Sequence, residues 1–471
     1  MKVLLIRSRP TRVENTRLPK SLANEIGYVM PLGLASIAAY LREKGIPVSI
    51  IDAEVEELSL EQIRKSIIKL NPDIVGITSM TPTVHDDVAV ARVAKSLGIK
   101  VVMGGPQINA MPKEMMQIFP IDFGILGEGE YPTFKLVEAL DKNLSLDTVP
   151  GIIYKDENEK IIMKPPYIHQ NLDELPVPAR DLLPYERYFS IISKGRLATV
   201  CPGRGCPFTC GFCFKQPSDR EIRYRNPKLI VDEIEELINK NGINEINFVS
   251  DTFTVNKDFI ISLSQELIDR RVEVSWLAPT RADCVTPELL KLMKRAGCRS
   301  LRFGVESGSA RILKLMGKDT NKDRVVQAFK WAREAKIETF AYLIIGYLHE
   351  TEGTIKETLE FVKKLKADLL MYNIATPLPT TRLFEQAVEA GVIEPDYWKK
   401  FLLNEKHRRV SYLFKDTEKW IIKAYRQFFF SPRFICKKIF EIRPNNIRNY
   451  FKALRGILRL NRDEYYTENP R

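Results

Sequence analysis

The chain has 471 residues, 44% apolar and 28% charged, the make-up of a globular protein with room for two or three domains. No apolar run reaches the roughly 18 residues of a membrane-crossing helix, and seven cysteines in so long a chain exclude a disulfide scaffold. The formal net charge is +12, yet residues 400–471 hold 18 Lys+Arg against 7 Asp+Glu, leaving 54 against 53 elsewhere. The body is close to neutral, which argues against nucleic acid as a partner and assigns the basic excess to a C-terminal appendage.

The opening MKVLLIRSRP reads as a buried strand (KVLLI, 2–6) rather than a secretory leader, whose apolar core is longer, so a cytoplasmic location is expected. A helix (LGLASIAAYLREKG, 32–45), a strand (PVSIID, 47–52), a helix (LEQIRKSIIKL, 60–70) and a strand (DIVGITS, 73–79) follow. A helix through Ala89–Leu97 and strands KVVMGG (100–105) and DFGIL (122–126) continue the alternation. Such βαβ units predict a Rossmann-like, doubly wound parallel sheet over 1–142. Its ligands would sit beyond the carboxyl ends of the strands, at loops 78–82, 104–107 and 127–130.

Residues 143–195 are rich in proline and read as a connector with a small hairpin. The βα rhythm resumes at 196–395, with strands at 196–200, 245–250, 273–278, 300–306, 339–346 and 368–373. Six units predict a partial (β/α)6 TIM-type barrel. Residues 396–471 form a basic helical C-terminal region in which aromatic and cationic residues interleave, as in WIIKAYRQFFFSPRFICKKIF (420–440). The fold class is thus α/β with a helical tail.

Four of the seven cysteines crowd into 201–213. Cys206-x3-Cys210-x2-Cys213 follows the first barrel strand, and three thiolates on one loop can ligate three irons of a [4Fe–4S] cube while the fourth iron stays open. A ferredoxin or a structural zinc site wants four ligands. Cys201 stands five residues before Cys206 and reads as a strand-end packing residue.

The string CPGRGCPFTCGFCF resembles the signature loop of radical S-adenosylmethionine (SAM) enzymes. The resemblance implies that Cys206, Cys210 and Cys213 are the metal ligands and catalytic centre. SAM would chelate the open iron and be cleaved reductively to a 5′-deoxyadenosyl radical. Phe212 would then lie against the adenine. FVSDTF (248–253) resembles the family's second-strand motif and points to Ser250 and Asp251 at the SAM amino group. SLRFGVESGS (300–309) resembles the fourth-strand segment and places Glu306 at the ribose or amino-acid moiety, while on the residues alone Glu306 is a strand-end group paired with Arg281 or Arg302. Arg281 joins the expected cofactor-binding set. LIIGYLHET (343–351) resembles the fifth-strand turn around Gly346, with Leu348 and His349 standing where the family writes Pro and Gly. PLPTT (377–381) likewise has Thr380 at the glycine of PLPGT. On its own, Asp251 could equally cap a helix.

Residues 1–140 resemble the cobalamin-binding domain that precedes the barrel in one subgroup of this family, through PLGLASIAAYLREKG, PDIVGITS, VVMGGPQ and ILGEGEYPTFKLVEAL. That points to Gly104, Gly105, Gly127 and Glu128 as cofactor-binding residues. The Asp-x-His-x-x-Gly motif is absent and His85 reads as a helix-start residue, so cobalamin would bind without a protein histidine ligand. The alternative is a degenerate Rossmann-like domain that binds no cofactor.

The leading expectation is a cobalamin-dependent radical SAM enzyme, resembling C-methyltransferases and the anaerobic magnesium-protoporphyrin monomethyl ester cyclase. It would act by C-methylation or by ring formation or rearrangement on a small-molecule or lipid substrate. A low-potential electron donor such as ferredoxin or flavodoxin is implied. Two rivals stand beside it: a methylthiotransferase or RNA-modifying enzyme, and a non-catalytic metal-binding protein. For the tail, solvated helices packed on the barrel compete with a peripheral surface for anionic lipid.

Overall fold

The computed structural model describes residues 1–10, 28–190, 193, 195–215, 217–318, 320–403 and 412–441. These form two compact units.

The first unit carries strands β1 (Val3–Arg7), β2 (Val48–Asp52), β3 (Ile74–Thr78), β4 (Lys100–Gly104), β5 (Phe123–Ile125), β6 (Ile152–Lys155) and β7 (Ile161–Met163). Its helices are α1 (Leu32–Glu43), α2 (Leu60–Leu70), α3 (Val84–Ser96), α4 (Pro106–Ala110), α5 (Pro112–Ile118) and α6 (Glu130–Asp141). The sheet order is β2-β1-β3-β4-β5-β6-β7. The first five strands are parallel and almost continuously apolar, as strands covered on both faces must be. Val3, Leu5, Ile74, Val102 and Phe123 pack with Leu34, Ala38 and Leu41 of α1 and Leu136 of α6 in one core. The hairpin expected in the connector is β6–β7, and it extends this sheet antiparallel from β5. Residues 143–189 are therefore part of the first unit rather than a free link. Strand order reverses between β1 and β3, which makes their carboxyl ends the ligand-binding crevice of such a sheet.

The second unit has strands β8 (Leu197–Val200), β9 (Gly203–Arg204), β10 (Arg223–Tyr224), β11 (Glu245–Phe248), β12 (Ser275–Thr280), β13 (Cys298–Glu306), β14 (Glu338–Ile345) and β15 (Leu369–Ile374). Between them lie α7 (Pro227–Asn241), α8 (Lys257–Asp269), α9 (Pro287–Arg295), α10 (Ala310–Leu315), α11 (Lys322–Glu334), α12 (Glu352–Leu365) and α13 (Arg382–Glu389). Six strands pair in parallel in the order β15-β14-β13-β12-β11-β8, an open βα barrel, while β9 and β10 make a small antiparallel ribbon.

The tail is split between the units. Helix α14 (Tyr397–Leu403) belongs to the first; α15 (Thr417–Phe429) and α16 (Pro432–Glu441) belong to the second. Among the described residues no helix is long and apolar enough to cross a membrane.

Candidate functional site

The cysteine loop leaves β8 and is held by backbone bonds from distant parts of the second unit. Cys206 N–H donates to Asp219 O at 2.8 Å, Gly211 N–H to Met316 O at 2.8 Å, and Leu383 N–H to Gly211 O at 2.8 Å. Gly205 has φ +99°, and a Cβ there would lie 2.0 Å from Glu221 O, so only glycine lets the loop close against the ribbon. Cys206 is buried, Cys210 half-buried and Cys213 exposed. Cys201 turns its thiol to Gly203 O at 3.4 Å, within the strand-end turn. Cys206 Sγ lies 3.7 Å from the Thr252 hydroxyl. Burial pushes the Cys210 thiol up, opposed by Lys318 and Arg281. Protein packed around Cys213 pushes its thiol up to about 11 even though its surface reaches solvent. Such thiols must shed protons to ligate iron. Among the described residues no three His, Cys, Asp or Glu side chains converge on a single ion. A cube is wider than one ion and takes each thiolate on a different iron, so the three-cysteine loop fits it.

Three cation–carboxylate pairs surround this loop. Lys215 Nζ lies 2.9 Å from Asp251 Oδ2. Arg281 grips Asp283 through two bonds of 2.9 and 2.7 Å, and its guanidinium stacks 3.7 Å over Phe208, between Cys206 and Cys210. Lys318 Nζ donates to Glu306 Oε1 and to Gly304 O, both at 2.7 Å. Glu306 is therefore paired with Lys318, not with Arg281 or Arg302; Arg302 instead donates to Asn247 Oδ1 at 2.7 Å. Nor does Asp251 cap a helix, since Asn256 caps α8. Ser250 is half-buried on the same loop as Asp251. Phe212 packs against a buried cluster that includes Met316, Ile344 and, from the turn that begins at Gly346, Tyr347 and Leu348. In that turn Glu350 Oε2 accepts from Gly346 N at 2.6 Å and Tyr347 N at 3.1 Å. His349 and Thr380 keep the left-handed backbone, at φ +61° and +60°, that glycine would adopt at their positions.

Asp251, Arg281, Glu306 and Gly346 thus follow or end β11, β12, β13 and β14 near the cysteine loop, which carries Phe212 itself. Lys215, Phe208, Thr252 and Lys318 were not singled out from sequence. Lys215 and Phe208 lie beside the cysteines and Thr252 within a recognised motif, but Lys318 carries no local signal.

In the first unit, Ser8, Ser79, Thr83 and Asp87 form a buried network at the carboxyl ends of β1 and β3. The Ser79 and Thr83 hydroxyls donate to Asp87 Oδ2 at 2.8 and 2.7 Å, and the Ser8 hydroxyl to Oδ1. Beyond β4, a Cβ on Gly104 would meet no atom within 4 Å, so the backbone there borders open space. Gly105 turns at φ +95° against Ser79 O. Gln107 is 0% exposed with neither amide atom hydrogen-bonded. Leaving such groups unpaired costs about 1–3 kcal/mol each, so this strand end suits a ligand with complementary polar groups. Gly127 and Glu128 are engaged differently: Glu128 N–H donates to Tyr167 O at 2.8 Å, and Glu128 Oε2 accepts from His169 N at 2.9 Å. They anchor the hairpin segment to the sheet. His85, in the first turn of α3, sets Nε2 3.1 Å from Phe401 O, and His169 faces Tyr167 at 3.2 Å.

Comparison with known proteins agrees with both units. The radical SAM superfamily profile matches residues 200–362 and the B12 binding domain profile residues 21–137. An uncharacterized methyltransferase of Pyrococcus horikoshii is 36% identical over 436 residues, covering 91% of this chain and 94% of that protein. The anaerobic magnesium-protoporphyrin IX monomethyl ester cyclase of Rubrivivax gelatinosus is 32% identical over 367 residues, covering 76% of this chain and 66% of the cyclase. Among solved structures, the radical SAM methyltransferase TsrM of Kitasatospora setae, with cobalamin and a [4Fe–4S] cluster bound, shares the fold. Its TM-score is 0.69 at 19% identity, over 83% of this chain and 75% of that one. The two profile matches and the identity to the Pyrococcus methyltransferase place this chain in the radical SAM superfamily, among the enzymes that carry an N-terminal B12 binding domain.

Proposed function

We propose that the chain is a cobalamin-dependent C-methyltransferase of a small molecule. The observation that carries this is the cysteine loop: Cys206, Cys210 and Cys213 lie within electrostatic reach of one another, while Cys201 turns its thiol to Gly203 O within its own strand-end turn. One iron is thereby left for SAM. Cys206, Cys210 and Cys213 hold the cluster. Asp251 meets the SAM ammonium, Glu306 offers its carboxylate to the ribose or amino-acid end, Arg281 presents positive charge beside Cys210, and Phe212 with the Gly346 turn walls the adenine. Gly104 and Gly105 would border a bound corrin, which would take no histidine ligand from this chain; His85 is turned to Phe401 O. When bound, these groups supply one-electron cleavage of SAM and carriage of a methyl group. The protein's own part is to bind and orient them and to keep water from the radical. A low-potential one-electron donor, ferredoxin or flavodoxin in type, supplies the electron.

Anaerobic reconstitution with iron, sulfide and hydroxocobalamin, followed by SAM and reductant, tests the proposal. Wild-type protein should form 5′-deoxyadenosine and retain corrinoid, and Cys206→Ala should lose iron and form none. Wild type that makes no 5′-deoxyadenosine sinks the radical reading. Identity to the cyclase favours ring formation as a second reading. SAM with a deuterated methyl separates the two, because only methyl transfer carries the label into product.

A further inference from the structure

One charged group beside the cysteines has no task in that scheme. Lys215 stands two residues past Cys213, with its side chain 13% exposed, while its partner Asp251 is 47% exposed. The 2.9 Å contact between them is a close ion pair, and the ammonium is sealed from solvent. Its partner Asp251 adjoins Thr252, whose hydroxyl lies 3.7 Å from Cys206 Sγ, so the pair stands beside the cysteine loop at both Cys213 and Cys206.

A [4Fe–4S] cluster on three thiolates is anionic, and accepting an electron adds one negative charge with no bond made or broken. A buried cation next to two of those thiolates therefore stabilises the reduced form more than the oxidised one. We propose that Lys215, clamped by Asp251 against the cysteine loop, raises the midpoint potential of the cluster so that a one-electron donor can reduce it. This rests on the proposed function.

The test is a potentiometric titration of the reconstituted full chain without SAM, with reduced cluster read by EPR. Lys215→Met should lower the midpoint, so that at a fixed potential the reduced-to-oxidised ratio falls about tenfold, a shift of about 59 mV for one electron. Lys215→Arg should restore it. Asp251→Asn, which uncovers the cation, should move the midpoint the other way. A Lys215→Met cluster with full iron content and an unmoved midpoint overturns the inference. Should Lys215→Met fail to load iron, Asp251→Asn decides, and a midpoint at or below wild type overturns it. A wild-type chain that loads no cluster would instead overturn the proposed function.

Discussion

Thr380 and His349 occupy a backbone region that β-branched and bulky side chains avoid, at φ +60° and +61°. Their neighbours hold them there: Thr381 caps α13 through its side chain, and Glu350 ties down the backbone before His349. The strain is local and glycine relieves it. Thr380→Gly should raise stability by about 1 kcal/mol, from the 1–2 kcal/mol penalty of left-handed L-residues less the extra chain entropy of glycine. His349→Gly should gain less, since histidine tolerates this region better. Chemical denaturation of the two variants checks both, and a loss of stability in Thr380→Gly would show that its side chain is needed. The departures from the family's glycines are thus changes of side chain on a retained backbone.

Asp87 ties three elements together, taking hydroxyl bonds from the ends of β1 and β3 and the start of α3. Burial pushes its carboxyl up to about 7 although all three hydroxyls oppose the shift. An unfolded Asp titrates near 3.9, so the folded state binds this proton more tightly. Stability from this group is fully present below that value and is lost as pH rises through about 7. The melting temperature should fall over this window, and Asp87→Asn should flatten the fall. A wild-type curve flat from pH 4 to 7.5 would contradict it. Glu350, also pushed to about 7 by burial, contributes in the same sense in the second unit and should keep part of the slope in the variant.

The elements were largely legible in the sequence because apolar period and length are local properties. Strand–helix alternation located both sheets, and the cysteine loop stood out because three ligands fall within eight residues. Non-local pairing was not legible. No pattern in 152–163 says that the hairpin docks on β5, and nothing near Glu306 names Lys318 as its partner rather than a nearby arginine. Gly127 and Glu128 show the converse. They stand at a strand end as a ligand loop should, yet their backbone and carboxylate bind the returning chain at Tyr167 and His169.

At the scale of the whole chain, helices α14 and α15 of the aromatic and basic tail are used for internal packing. Thr417, Trp420, Ile421, Ala424 and Tyr425 are the buried face of α15. Tyr425 bonds to the Tyr372 backbone on edge strand β15, and Thr417 abuts Gly346. Residues 404–411 and 442–471 of the tail lie outside the described residues. Helix α14 packs on α5, and Phe401 meets His85 of α3. Trp398, Phe401 and Leu402 are nearly fully buried there. Trp398→Ala should cost about 3–5 kcal/mol, confined to the first unit. In calorimetry a lower transition should separate from that of the barrel, and a single transition shifted as a whole would show that the two units unfold together.

The placement of α14 also has a temporal consequence. The first unit is discontinuous in the gene, with roughly two hundred barrel residues between Phe189 and Glu394. On the ribosome its sheet emerges early, but α14 follows only after a wait of roughly 10–40 s at 5–20 residues per second. During that interval the faces of α3 and α5 that α14 will cover stand open to solvent or to a chaperone. Maturation of the corrinoid unit is thus tied to complete synthesis of the barrel, and a chain that stalls within the barrel leaves both unfinished.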